Sequence, residues 1–253
     1  MLADYNVAGV EVAPSRLAAW DCLTAERLDE YRFKCNSSGL EICSLQAILF
    51  NQPQAQLLAG DHGFQALCQQ MERIGSVAQA LGAKIAVFGA PGNRKRGDLS
   101  LEAATALGLS RMRLLGDIAE SHGYIIGIEP VPTYYNCDFL DRIDELSNFV
   151  AECNHPFIAT HFDIACITLG GDNPVEKLNE APFVHFHASE PNLGSFEAPI
   201  CDHPAVARRL RQSGYDGWVV IEMRQVGDDL KALEEALKYV SKTYGFAPNE
   251  LPN

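Results

Sequence analysis

Apolar residues along the chain fall into short, β-branched runs separated by longer stretches of helical spacing. The runs are Val7–Ala13, Leu40–Leu49, Lys84–Ala90, Tyr124–Val131, Phe157–Ala165, Phe183–Ser189 and Trp218–Met223. Between them, Thr24–Asn36, Phe64–Leu81, Ser100–Ser121, Phe139–Glu152, Pro204–Gln212 and Asp228–Tyr244 carry apolar residues with the period of a helix that buries one face. Gly39, Gly82, Gly123 and Gly214 follow such stretches, where a chain leaving a helix adopts the left-handed conformation that glycine tolerates best. Strand alternating with helix predicts parallel βαβ units.

Two architectures use such units, an open doubly wound sheet and a closed barrel. A dinucleotide-binding open sheet carries G-x-G-x-x-G after its first strand; no such sequence occurs here, and Ala90-Pro91-Gly92-Asn93 is not a Walker loop. Polar residues instead stand at the C-terminal end of run after run, the face on which a (β/α)8 barrel keeps its chemistry. No Pro/Ser-rich or low-complexity linker divides the chain, so residues 1–253 are expected to form a single α/β domain of TIM-barrel type. Only six residues precede the first of the seven strand runs. The expectation is a barrel lacking its first strand and most of its first helix, through natural truncation or a start codon placed too late.

Charge narrows the function. The chain has 33 acidic and 20 basic side chains, a net charge of −13, which argues against a surface for nucleic acid, where phosphate contacts need clustered Lys and Arg. No run approaches the roughly 18 apolar residues of a membrane span, and the residues from Met1 to Asn6 show no signal-peptide pattern. Eight cysteines without a C-x-x-C pair read as reduced thiols. The expectation is a cytoplasmic enzyme acting on a small molecule, with no membrane or nucleic-acid partner and with homo-oligomerisation left open.

Four side chains close late strand runs: Glu129 in Ile128-Glu129-Pro130, Asp163 in Phe162-Asp163, His187 in His185-Phe186-His187, and Glu222 in Ile221-Glu222-Met223. Singly, a carboxylate at a strand end serves as often to cap a helix or pair with a base. Together, three carboxylates converging on one mouth repel each other unless a cation neutralises them. Three oxygens and one imidazole suit Mn²⁺, Mg²⁺, Co²⁺ or Zn²⁺. By the two-residue alternation of a strand, His161 and His185 share faces with Asp163 and His187 but lie one layer deeper. Glu11 and Gln46 also end strands, within reach of substrate hydroxyls. Asn93-Arg94-Lys95-Arg96 is the one dense basic run, placed to attract an anionic substrate or simply to form a solvated loop.

Gly9-Val10-Glu11-Val12-Ala13-Pro14, Ile128-Glu129-Pro130, Phe162-Asp163-Ile164-Ala165-Cys166, His185-Phe186-His187-Ala188-Ser189-Glu190-Pro191 and Tyr215–Met223 resemble the xylose-isomerase-like barrel superfamily, most closely its sugar phosphate isomerase/epimerase group. The resemblance implies one divalent metal, manganese favoured, held by Glu129, Asp163, His187 and Glu222. It also implies that Glu129 and Glu222 act as acid and base on a sugar whose carbonyl the metal polarises. Substrate contact is expected from Glu11, Gln46, Arg94, Cys166, His185 and Glu190. Ketose epimerases of the group carry a histidine where this chain has Cys166 and an arginine where it has Leu193, so substrate choice departs from theirs. The competing readings are a hydrolase related to endonuclease IV, disfavoured by the lack of histidine in Leu40–Leu49 and Lys84–Ala90, and a non-catalytic truncated barrel.

Overall fold

A computed structural model describes residues 2–180, 182–225 and 228–245. Its strands are β1 (Gly9–Val12), β2 (Glu41–Leu45), β3 (Ile85–Phe88), β4 (Ile125–Ile128), β5 (Ile158–Asp163), β6 (His185–Ser189) and β7 (Val219–Glu222). All pair in parallel, each with its successor, into one seven-stranded sheet. Helices return the chain between them: α1 (Pro14–Leu17) and α2 (Ala25–Ser37), α3 (Asp61–Leu81), α4 (Leu101–His122), α5 (Ile143–Cys153), then α6 (Ile164–Leu169) and α7 (Pro174–Lys177), α8 (His203–Gln212) and α9 (Asp229–Tyr244). This is a TIM barrel short of one strand. Residues 2–5 form a single turn of 3₁₀ helix, and no described residue before Gly9 is a strand.

Local chemistry sets the helix ends where the sequence pattern places them. Thr24 and Ser100 accept the backbone N–H of Arg27 and Ala103 through their hydroxyls, capping α2 and α4. Gly82 and Gly123 close α3 and α4 at φ of 81° and 71°. All the strands but β6 are shorter than their apolar runs at the C-terminal end. After β2 the chain turns at Ala47 (φ 50°), and Ile48 and Leu49 leave the sheet to become cavity wall.

The missing strand leaves its mark on burial. Leu45, Phe88, Ile126 and Phe186, on interior strands, are fully buried, whereas every residue of β7 and all but Val12 of β1 are partly exposed. Across this seam the Trp218 ring lies against Gly9: a Cβ at Gly9 would stand 2.8 Å from it and 3.1 Å from the carbonyl of Glu41. Tyr5 adds a hydroxyl contact to Glu234 on α9. Among the described residues, no helix is long and apolar enough to cross a membrane.

Because the seam depends on that contact, Gly9→Ala should destabilise the protein by about 1–3 kcal/mol, the usual range for overpacking. Urea denaturation monitored at the tryptophan checks this; an unchanged midpoint would show that the seam does not rely on Trp218 packing.

Candidate metal centre

The C-terminal ends of β4 to β7 bring Glu129, Asp163, His187 and Glu222 to one mouth. Parallel register does this directly: Asp163 pairs with His187, one step above the His161–His185 pair, and Ser189 pairs with Glu222. His187 Nδ1 faces Glu222 Oε2 at 3.3 Å and Asp163 Oδ2 at 3.6 Å. Donor atoms of Asp163, His187 and Glu222 lie within 4.8 Å of each other, as do those of Glu129, Asp163 and His161.

Asp163 and Glu129 are held from outside the mouth. Asp163 Oδ1 accepts the Cys166 backbone N–H (2.6 Å), capping α6, while Oδ2 accepts the Ser189 hydroxyl (2.7 Å). The Cys166 thiol donates to Glu129 Oε1 at 3.2 Å. Burial first, then Asp163 and Glu129, push that thiol well above the ordinary cysteine range, so it remains a donor. The other oxygen of Glu129 fills the space over Gly89, where a Cβ would collide at 1.8 Å. Arg94, buried to 0% exposure, donates from Nη2 to the Glu129 carbonyl at 2.7 Å and fixes the end of β4.

The electrostatics fit a divalent cation. Burial and the negative charges of Asp163 and Glu222 push Glu129 up to about 8. Burial disfavours the His187 imidazolium, yet Glu11 and Glu222 outweigh it and hold that group well above its usual value. Protons are thus drawn to the mouth, where two triplets of donor atoms share Asp163. His187 Nδ1 is buried there without a hydrogen bond. A divalent ion at that point would satisfy the nitrogen and return Glu129 to its carboxylate form.

Above the four residues lies a cavity of about 460 Å³, lined by Gln46, Ile48, Leu49, Phe50, Val87, Pro91, Asn93, Leu193, Glu129 and Glu222 among others. Of the side chains expected to contact substrate, Gln46 lines it and five do not. Glu11 and His185 lie beneath the centre, with His185 Nε2 2.9 Å from Glu11 Oε2. Cys166 is behind Glu129. Arg94 is turned under the backbone, and Arg96 is committed to Asp138 and Leu99, so neither arginine of the basic run lines the cavity. Glu190 accepts the backbone N–H groups of Ile200 and Cys201 and sits 2.8 Å from His203, whose other nitrogen meets the Tyr244 hydroxyl. That buried network ties the loop after β6 to α8 and α9. Asp202 caps α8 through the Ala205 N–H, as its place before Pro204 suggests.

Ser189 and Gly89 were not legible as site residues from type alone. Ser189 lies on the His187 face by strand alternation, a signal that was present. Tyr135 accepts the Asn192 N–H and Tyr134 donates to the Asn192 side chain, which carries Leu193 over the cavity.

A family model described as the xylose isomerase-like TIM barrel matches residues 1–243. The chain belongs to that family. Solved structures share the fold at low identity. A 3-keto-D-glucoside 4-epimerase from E. coli superposes with a TM-score of 0.79 at 18% identity, covering 95% of this chain and 91% of that one. A D-psicose 3-epimerase, solved in the presence of D-fructose, gives 0.78 at 16%, covering 96% and 91%. An AP endonuclease of family 2 from Brucella melitensis gives 0.76 at 18%, covering 95% and 90%. No curated protein sequence matches the chain.

Two outcomes follow for this family member. Chelator-treated protein should melt higher when Mn²⁺ is restored, by the equivalent of about 2.7 kcal/mol at one hundred times Kd, and Glu222→Gln should lose most of that gain. No metal-dependent shift in the wild type would remove the basis for the centre. Glu190→Gln should cost about 1.5–3 kcal/mol as a buried charged hydrogen-bond acceptor is neutralised, with the metal-dependent rise in Tm intact. A lost metal response in this variant would place Glu190 in the site after all.

Proposed function

We propose that the protein is a divalent-metal-dependent isomerase or epimerase of an uncharged sugar or sugar derivative. One observation carries the reading: Glu129 and Glu222, two carboxylates flanking the candidate metal position, both line the cavity at the barrel mouth. Asp163 and His187 complete the donor set from below.

When bound, a divalent ion withdraws electron density from substrate oxygens and acidifies the neighbouring C–H. The chain supplies the rest. Glu129 and Glu222 stand at the ends of β4 and β7, so they approach a bound sugar from different walls. One takes the proton from carbon and the other returns it. The Cys166 thiol, donating to Glu129 Oε1, steadies the carboxylate in the orientation that faces the cavity. Gln46 offers an amide to substrate hydroxyls.

An uncharged substrate fits the walls. Among the described residues lining the cavity there is no Lys or Arg, and the arginine that suggested an anionic substrate is buried beneath Glu129. Leu193, Phe50 and Ile48 give one side an apolar face, which suits the less polar edge of a sugar. The hydrolase reading draws no support from the cavity: β2 and β3 contribute no histidine, and among the described residues of its lining there is no Lys or Arg for a phosphodiester.

Solvent-deuterium exchange, followed by NMR or mass spectrometry, tests the proposal without knowledge of the product. A panel of neutral ketoses and keto-glycosides, each beside its phosphorylated counterpart, should show metal-dependent C–H exchange for a neutral member. Glu129→Gln and Glu222→Gln should each lower it by at least about 10²-fold. Exchange confined to phosphorylated sugars would contradict the substrate class, and full activity in either variant would contradict the acid/base roles.

A further inference from the structure

We infer that Glu11 is a positioning residue that decides which nitrogen of His187 faces the metal position, and is not a substrate contact. The inference rests on reading Asp163, His187, Glu222 and Glu129 as metal ligands.

Strand pairing places Glu11 and its partner. The register of β1 with β2 slips between Val10, paired with Ile42, and Glu11, paired with Ser44, so the extra residue of the bulge is Cys43 on β2, and Ser44 comes opposite Glu11. Glu11 points into the barrel, where its side chain is 2% exposed. Because β1 and β6 are not neighbours in the sheet, the contacts Glu11 makes to β6 cross the barrel interior.

The two oxygens of Glu11 are used differently. Oε2 accepts the Ser44 hydroxyl at 2.6 Å and meets His185 Nε2 at 2.9 Å, which locks the carboxylate in place. Oε1 has no aligned hydrogen bond, and His187 Nε2 stands 2.8 Å from it. A carboxylate oxygen repels an imidazole lone pair at that distance and attracts an N–H. Nδ1 stands farther from its carboxylates, at 3.3 and 3.6 Å, so when the ring holds one proton and a cation takes the Nδ1 side, Nε2 carries it. In a ring protonated at Nε2 alone, the lone pair is on Nδ1, the nitrogen that faces Asp163 and Glu222. The opposite tautomer would turn an N–H towards the metal position and remove one donor. Without a carboxylate at Glu11, nothing in the contacts of Nε2 would disfavour that tautomer.

The test uses apo protein and three measurements. Zn²⁺ and Mn²⁺ affinities are obtained by competition with a chromophoric chelator for wild type, Glu11→Gln and Ser44→Ala, and denaturant stability of each apo form is measured alongside. Long-range ¹H–¹⁵N NMR on the Zn²⁺-loaded, histidine-labelled wild type reads which nitrogen is coordinated. The expected results are a 10–100-fold weaker Kd in Glu11→Gln, a smaller weakening in Ser44→Ala, and His187 bound through Nδ1 with Nε2 protonated. Loss of apo stability in Glu11→Gln with Kd unchanged would mean a purely structural role and overturn the inference. Coordination through Nε2 would overturn it equally, and decides the matter alone if Glu11→Gln does not fold. Wild-type protein that takes up neither ion would overturn the metal-site reading itself.

Discussion

The crowding of carboxylates around one imidazole is the interaction on which the rest of the mouth depends. Glu11, Asp163 and Glu222 each place an oxygen within 3.6 Å of a His187 nitrogen, and Glu129 is repelled by both Asp163 and Glu222. Two like charges 4 Å apart cost about 4 kcal/mol at an effective dielectric of about 20. Left alone, such a cluster relaxes by taking up protons or by moving apart. The structure prevents the second route. Ser189 and the start of α6 grip Asp163, Cys166 and Gly89 house Glu129, and Ser44 locks Glu11. Side chains restrained against their own repulsion make sense as a receptor for positive charge.

The unclosed sheet places a limit on that design and a solution beside it. With β1 and β7 unpaired on one side, two edge strands face each other without hydrogen bonds. Trp218 fills part of the gap against Gly9, and Glu11 reaches past the seam to the histidines of β6. The metal-ligand candidates stand on β4 to β7, and of these only β7 borders the gap. Glu222 is accordingly the most exposed of the buried centre's carboxylate partners to His187, at 19%.

Much of this was legible in the chain. The alternation of apolar runs and helical stretches gave every strand and the boundaries of the long helices within a few residues, because caps such as Thr24 and Gly82 are local chemistry. The four candidate ligands were visible because each ends an apolar run, and only a strand end exposes a polar side chain at a barrel mouth. Arg94 and Glu190 show where local reading stops. Both are charged residues just past strands, a pattern shared by substrate contacts and by buried braces. Their partners, the Glu129 carbonyl and His203, come from other elements, so tertiary contact alone decides. Glu190 did carry a clue: it follows Ser189 and therefore points away from the face that bears His187. The β2 bulge that brings Ser44 opposite Glu11 has no sequence signature at all.

The account turns on a single cation held by four side chains. Crystals grown without chelator and soaked in MnCl₂ test this most directly, through an anomalous difference map at the manganese edge. The account predicts one strong peak bounded by Glu129, Asp163, His187 Nδ1 and Glu222, each donor at a coordination distance of about 2.0–2.3 Å. A saturating soak that leaves this position without anomalous density, or that places manganese on other residues, would contradict it.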